Sequence, residues 1–236
     1  MVKLPNRFLK WNYYERRRLI ERLLREDPTD PTKLFLEFTR HTPVLCTAVP
    51  RSDGTVELNG KVVGVGYVLK REKMGSAIKA LRDHLRATDE EYEAARGDRE
   101  KLRRLYEEHS RRGLELLLRY LYLPPDEAEK AVDFEKLATV ELAKRLPWSS
   151  KHTWRIVQRS KAACLVFFQP PSTSFEVRGT LSVHVDDEYH EFVTLAHDAY
   201  HYTPPEHRTD RPVYVIHVTE VYDNSPTRGG FGTRLA

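Results

Sequence analysis

Two β-forming stretches of this chain are separated by more than sixty residues that contain no strand-like run. Residues 72–134 are dominated by Lys, Arg, Glu, Leu and Ala. On either side the texture is β: Pro43 to Val49 and Val62 to Leu69 before the block, and Ala162 onward after it. Any sheet must therefore be closed across a long helical excursion, which points to an α+β protein built on non-local strand pairing. Within the block, Ile78, Leu81 and Leu85 mark one helix. Thr88 with Glu91 reads as the capping box of a second, ending at Gly97. A third starts near Asp98 with Leu102, Leu105 and Tyr106 inward, and Leu114 to Leu123 continues it until Pro124-Pro125. The block is expected to be a helical insertion, with its Leu- and Tyr-rich stretch as a possible partner surface.

The flanks follow the same logic. Residues 12–26 carry Leu19, Ile20, Leu23 and Leu24 at helical spacing, with Arg16, Arg17, Arg18 and Arg22 opposite as a solvated face, or, in a sharper reading, a phosphate-contacting one. Asp27-Pro28 stops that helix. Asp30 caps the next, with Pro31 at its first position, and this helix is expected to bury Leu34, Phe35 and Phe38. Ser52-Asp53-Gly54 turns a hairpin whose second strand is read at about Lys61 to Lys70. Gly60, Gly64 and Gly66 lack the spacing and following helix of a dinucleotide fingerprint. Ala163 to Phe168 reads as a buried strand ended by Pro170-Pro171. Phe175 to Val185 reads as a half-buried strand with a bulge at Gly179. A helix follows over Asp186 to Tyr200, capped by Asp186 or Asp187, then a strand over Pro212 to Tyr222. Ser225 to Ala236, with three Gly and two Arg, is expected to be mobile. Together these make a small barrel with helices attached.

Composition removes several classes. Hydrophobic residues are 40% and charged residues 31% of the 236, an ordinary globular balance. The longest apolar run, Ala162 to Phe168, falls far short of a bilayer span, and residues 1–18 lack the apolar centre of a signal peptide. A soluble, cytoplasmic protein with no membrane partner is expected. Cys46 and Cys164 alone exclude a disulfide scaffold and a four-thiolate zinc site. The net charge of +4 permits contact with nucleic acid without requiring it. Scarce Asn, Gln, Cys and Met beside abundant charge suggest a thermophile.

Three constellations carry possible chemistry. In Trp148-Ser149-Ser150-Lys151-His152-Thr153-Trp154-Arg155, two hydroxyls, a Lys, a His and an Arg sit where a turn enters a helix, a composition suited to a phosphate, although either serine is also an ordinary N-cap. The same region, residues 139–159, also reads as a helix-turn-helix. Leu142, Ala143 and Leu146 would form its first core, Pro147 its turn, and Lys151, His152, Arg155, Gln158 and Arg159 its groove-facing side, with Ile156 inward. Against this, Ala138, Val140 and Leu142 alternate as a strand would, so both periods fit. His197 and His201 are four apart on one helix, a metal-ligand spacing, but Asp198 stands where a zinc protease needs Glu. Satisfied or exposed histidines are the plainer reading, and no metal is expected.

The order of these pieces resembles the pyridoxamine 5′-phosphate oxidase-like family of FMN-binding split barrels. The resemblance rests on Cys46-Thr47 before the Asp53-Gly54 turn, a second strand, Ser150-Lys151-His152 at a helix start, the strand Ala163 to Phe168, and Val177-Arg178-Gly179. It covers about residues 40–70 and 137–222. It implies a split-barrel domain over 41–71 and 135–224, N-terminal helices over 1–40, the helical insertion over 72–134 and a flexible tail over 225–236. It further implies FMN as cofactor, a homodimer, and a flavin-dependent oxidoreductase acting on a small molecule. Ser150 and Lys151 would meet the FMN phosphate; Ser149 beside them is counted as cofactor-binding, as is His152, which departs from the family by standing where it often has a second basic residue. Ser174 falls near a position where the family has a cofactor-contacting Gln. Two alternatives stand beside it: a nucleic-acid-binding protein using residues 139–159, and a cofactor-free barrel serving as an interaction module.

Overall fold

The structure is a computed structural model that describes residues 1–25, 27, 30–142, 148–208 and 211–236. It is an α+β molecule whose strands form one antiparallel sheet. The strands are β1 (Val44–Pro50), β2 (Val56–Val62), β3 (Gly66–Leu69), β4 (Val132–Val140), β5 (Ala162–Gln169), β6 (Thr173–His184), β7 (Val213–Asp223) and the short β8 (Thr233–Arg234). Their order across the sheet is β2-β1-β5-β6-β7-β4-β3, with β8 added to β7.

That order forces the sheet to curl. Laid flat, seven strands would put β2 and β3 roughly 29 Å apart. Yet Val62 ends β2 and Gly66 starts β3, and four residue steps span at most about 14 Å. The two edges are thus drawn together into a barrel that stays split between β2 and β3, which do not pair. The connector leans on the residues before β1 instead: Val63 N donates to Pro43 O (3.0 Å) and Val65 N to His41 O (2.9 Å).

The N-terminal helical segment plugs the barrel. It runs through α1 (Asn6–Leu9), a π turn (Lys10–Tyr14) and α2 (Glu15–Leu24). Phe8 sets its ring edge against Phe167 and Phe175 at 5.1 and 5.4 Å. Tyr13 sits between Tyr67 and Phe134, donates to Leu121 O (2.6 Å) and accepts from Leu123 N (2.8 Å). Its Arg face is not simply solvated: Arg17, Arg18 and Arg22 pair with Glu21, Glu15 and Glu37. Asp30 caps α3 (Pro31–Thr39), accepting from Thr32 N and Lys33 N. Of the residues expected inside that helix, Phe35 is exposed and Leu34 and Phe38 are half-buried; Glu37 is buried, held by Arg22.

The helical block is a hairpin of α4 (Arg71–Ala95) and α5 (Arg99–Tyr120), followed by the short α6 (Pro125–Ala131). Gly97, at φ +89°, makes the bend and Asp98 caps α5. The capping box expected at Thr88 is not a helix start. Met74, Ala77, Ile78, Leu81, His84, Thr88, Tyr92 and Ala95 form one continuous buried stripe of α4. Thr88 lies under it, 2.8 Å from His109 Nδ1 of α5. Tyr106, expected inward, is exposed.

Other expectations are corrected too. The hairpin partner of β1 is β2, in register Val44↔Val62 to Pro50↔Val56, while β3 pairs with β4. The helix-turn-helix over 139–159 is overturned: Thr139 and Val140 end a strand, and α7 (His152–Val157) buries Thr153, Ile156 and Val157. Ala143, Leu146 and Pro147 lie outside the described residues, as does Pro28. The tail from Ser225 folds back rather than hanging loose. Leu235 N donates to Val221 O (2.7 Å), and Val221 N to Ala236 O (3.1 Å). The bulge falls where the pattern puts it, between Arg178 and Gly179. Asp187 caps α8 (Glu188–Asp198), accepting from His190 N (2.9 Å).

Candidate functional site

The split leaves a cavity of about 490 Å³ beside it, lined from β2, the β2–β3 connector, the end of β4 and the start of α7. Alternation along β2 decides what faces it. Glu57, Asn59 and Lys61 are half-buried, whereas Val56, Leu58 and Gly60 are exposed on the other face; Val62, at the strand's end, is exposed yet reaches the cavity edge. Asn59 and Lys61 line the cavity with Glu141, Ser150, Lys151, His152 and Thr153. Asn59 Nδ2 donates to the buried Thr153 Oγ1 (3.0 Å), which fastens α7 to the barrel.

Charge in the cavity is unevenly committed. Glu141 is 1% exposed, held by Lys61 and by Tyr214, whose hydroxyl donates to Oε2 (3.0 Å). Burial, reinforced by this carboxylate, raises the Tyr214 phenol far above its ordinary value. Lys61 is thereby spent. Lys151 makes no ion pair among the described residues and is half-exposed. The structure thus brings Ser150, Lys151 and His152 to one cavity. Ser149 is exposed in the turn Trp148–Ser150 and is not among the lining residues. Ser174 is elsewhere: it pairs with Phe168 across β5–β6, and its backbone N donates to Ser225 Oγ (3.0 Å).

The structure also assembles a group that sequence spacing did not suggest. Ser182 Oγ is 2.7 Å from His184 Nε2, and His184 Nδ1 is 2.6 Å from Asp187 Oδ2. Ser182 and His184, two apart on β6, share a face, and Asp187 is the α8 cap; only pairing the strand pattern with the cap would have found them. The order is that of a nucleophile, base and orienting acid. The hydroxyl, however, is also 2.8 Å from His217 Nε2 and 3.4 Å from Val215 O. Its hydrogen-bonding capacity is engaged by neighbours, and the chain fastens the start of α8 to the sheet. His197 and His201 have rings 5.1 Å apart, but α8 ends at Asp198, and His197 Nδ1 meets Asp198 Oδ1 at 2.8 Å. Among the described residues, no three His, Cys, Asp or Glu are grouped to hold a metal. No helix among them is long and apolar enough to cross a membrane.

No family model matches the sequence, and no curated protein matches it. Solved structures do. An F420 reductase is 16% identical, with a TM-score of 0.35, over 76% of this chain and 87% of that one. HupZ of Group A Streptococcus is 9% identical, TM-score 0.40, over 89% and 100% of the two chains. A Listeria innocua protein provisionally called a pyridoxamine 5′-phosphate oxidase is 12% identical, TM-score 0.37, over 82% and 98%. These are likenesses in chain path; the split barrel here stands on its own strand order.

Proposed function

We propose that the chain binds FMN at the split and acts as a flavin-dependent oxidoreductase on a small molecule, as a homodimer. One observation carries this reading: Ser150, Lys151 and His152 meet at a cavity beside the barrel's open edge, with the Lys151 ammonium uncommitted to any carboxylate among the described residues. A phosphate monoester suits that donor set. Glu141 would repel it, and the grip of Lys61 and Tyr214 offsets that repulsion. Lys151 supplies the charge, Ser150 a hydroxyl, and Asn59, already turned inward, an amide. Bound there, FMN would supply hydride and electron transfer, and the protein would fix its orientation. The exposed Val56, Leu58 and Val62 of β2 offer a second copy an apolar face to cover.

The visible spectrum of the purified protein is the first test, followed by titration with FMN and riboflavin. Lys151→Ala is expected to cost roughly 1.5–3 kcal/mol of FMN binding, about one to two decades of affinity. Riboflavin, which lacks the phosphate, should barely respond. Equal losses for both would withdraw the phosphate assignment. A colourless protein that ignores FMN would leave the cofactor-free interaction module. Sedimentation velocity tests the dimer.

A further inference from the structure

A second cavity, of about 190 Å³, lies under the helical block, between α2, α5 and α8 on one side and β3 and β4 on the other. Most of its wall is apolar: Val65, Leu117, Leu121, Val193 and Ala196 among others. Its ionisable lining has one character. Arg16, His41, His197 and His201 contribute, with Tyr67, Tyr122 and Tyr200, and no Asp or Glu among the described residues lines it.

Two of these groups have unfilled capacity. Arg17, Arg18 and Arg22 on the same helix, and Arg40 nearby, each pair with a glutamate. Arg16 makes no ion pair among the described residues; its guanidinium lies over the Tyr122 ring at 5.4 Å and hydrogen-bonds that side chain. His41 is 3% exposed, and its Nδ1 has no hydrogen-bond partner. A buried donor or acceptor left unpaired costs about 1–3 kcal/mol, so a ligand that satisfied it would recover stability. Burial, with Arg16 and Arg40 close by, keeps this imidazole neutral by holding its pKa well below the ordinary value. A neutral imidazole can still donate one N–H. Thr42 and His201 also line the cavity and are exposed, which marks its mouth.

We infer that this cavity is a binding site for a small monocarboxylate with an aromatic or branched apolar body, its carboxylate held by Arg16 and His41 and its body against Val65, Leu117, Leu121 and Val193. Size sets the class: a cavity of about 150 Å³ accepts a benzene ring, so one of about 190 Å³ accepts a ring with a short acidic arm. The site adjoins the one at the split, sharing Gly64 and Val140 in its wall, but Arg16 and His41 belong to it alone, so the carboxylate contacts do not depend on flavin.

Calorimetric titration of the full chain with phenylacetate, phenylacetamide and phenethylamine tests it. The expected result is saturable binding of phenylacetate at one site per chain, with the neutral amide about tenfold weaker and the amine without detectable binding, because the charged contact is lost or reversed. Arg16→Gln should lower phenylacetate affinity about tenfold and leave the amide unchanged. Ala196→Phe, which fills the cavity, should abolish both. Folded wild-type protein that binds no phenylacetate at millimolar concentration overturns the proposal. So does an amide that binds as well as the acid, or an Arg16→Gln variant, folded by circular dichroism, that keeps full phenylacetate affinity. The acid–amide comparison needs no variant and survives any failure of Arg16→Gln to fold.

Discussion

The joint between the helical block and the barrel, and the rim of the cavity at the split, use the same residue types in opposite ways. At the joint the carboxylates, several hydroxyls and His109 find partners inside the protein, although His84 Nε2, Arg112 Nε, Thr194 Oγ1, Arg208 Nε and Arg211 Nε are buried without one. His109 Nε2 meets Asp198 O at 2.8 Å, and a carbonyl only accepts, so the proton sits on Nε2 and Nδ1 accepts from Thr88. Asp198 takes two bonds from Arg211, at 2.9 and 2.7 Å, and one from His197. Ser110 donates to Tyr200 O (3.0 Å). At the rim, Ser149 and His152 are exposed and Lys151 has no counter-ion among the described residues. The bonds that are made at the joint fix one arrangement of α4, α5 and α8. A rim with spare donors costs the fold little and leaves capacity for a ligand. The comparison predicts large stability effects at the joint and small ones at the rim.

The largest effect is expected at Gly113. A Cβ there would lie 1.6 Å from the backbone oxygen of Ala199. Neither atom belongs to a flexible side chain, so α5 and the end of α8 would have to part. Gly113→Ala should cost at least about 5 kcal/mol or abolish folding. Gly75→Ala in α4, where nothing lies within 4 Å of the added Cβ, should instead stabilise by about 0.5–1 kcal/mol. Chemical denaturation of both variants checks the pair. A Gly113→Ala protein as stable as the wild type would break the described α5–α8 contact.

Next comes Asp198→Asn. Asp198 and Arg211 are both buried, and hydrogen bonds from His197 and Arg211 hold the carboxyl below its ordinary range despite burial. Removing the charge strands a buried guanidinium, an expected loss of about 3–5 kcal/mol. The double change Asp198→Leu with Arg211→Met should recover much of it, because the cost lies in the unpaired ion rather than in the lost pair. A double variant no better than Asp198→Asn would mean that the pair itself holds the joint.

A third effect is a pH dependence. The rings of His84 and His109 stack at 4.3 Å. Burial, then repulsion from His109, pushes His84 down from 6.5 to about 4, and burial lowers His109 as well. A folded-state pKa below the unfolded one means the unfolded chain binds more protons between the two values. Stability is therefore full above pH 6.5 and falls as pH drops toward about 4, by up to about 3 kcal/mol for His84. The carboxylates with lowered values lose their contribution below their own unfolded values, 3.8 for Asp198 and 4.5 for Glu91, so only Glu91 reaches into the acid end of the histidine window. Urea denaturation from pH 7 to 4 should show the slope in the wild type and a flatter one in His84→Gln. Parallel slopes would remove the histidine pair from the account.

How much of this was legible in the sequence follows from the range of each interaction. Local rules worked: the Asp30, Asp98 and Asp187 caps, the Gly97 bend and the Gly179 bulge are set by a few neighbouring residues. The barrel was legible as an order of strands, and the Ser150-Lys151-His152 cluster was legible as composition. What failed was local logic overridden by tertiary contact. Thr88 looks like a helix start and is instead drawn inside a longer helix by His109. Phe35 looks like core, yet α3 turns it to solvent. The cavity around Arg16 and His41 left no signal, since its wall comes from segments far apart in sequence. The Ser182–His184–Asp187 chain depends on where α8 begins relative to β6.

The smallest effect sharpens the comparison from the other side. Lys151→Ala should leave stability within about 0.5 kcal/mol of the wild type while weakening FMN. Lys151 is the N-cap of α7, but its side chain makes no capping bond; the bond it does make, from Arg155 N to its backbone oxygen at 3.1 Å, survives in alanine. What holds α7 down is Thr153, Ile156 and Val157 beneath it, together with Asn59. The variant thus removes charge from the rim without touching its attachment. Thermal denaturation without ligand, read beside the FMN titration, separates the two roles. A drop of more than about 1 kcal/mol would make the rim a structural joint like the one at Asp198, and a loss of flavin affinity in that variant would no longer report on the phosphate.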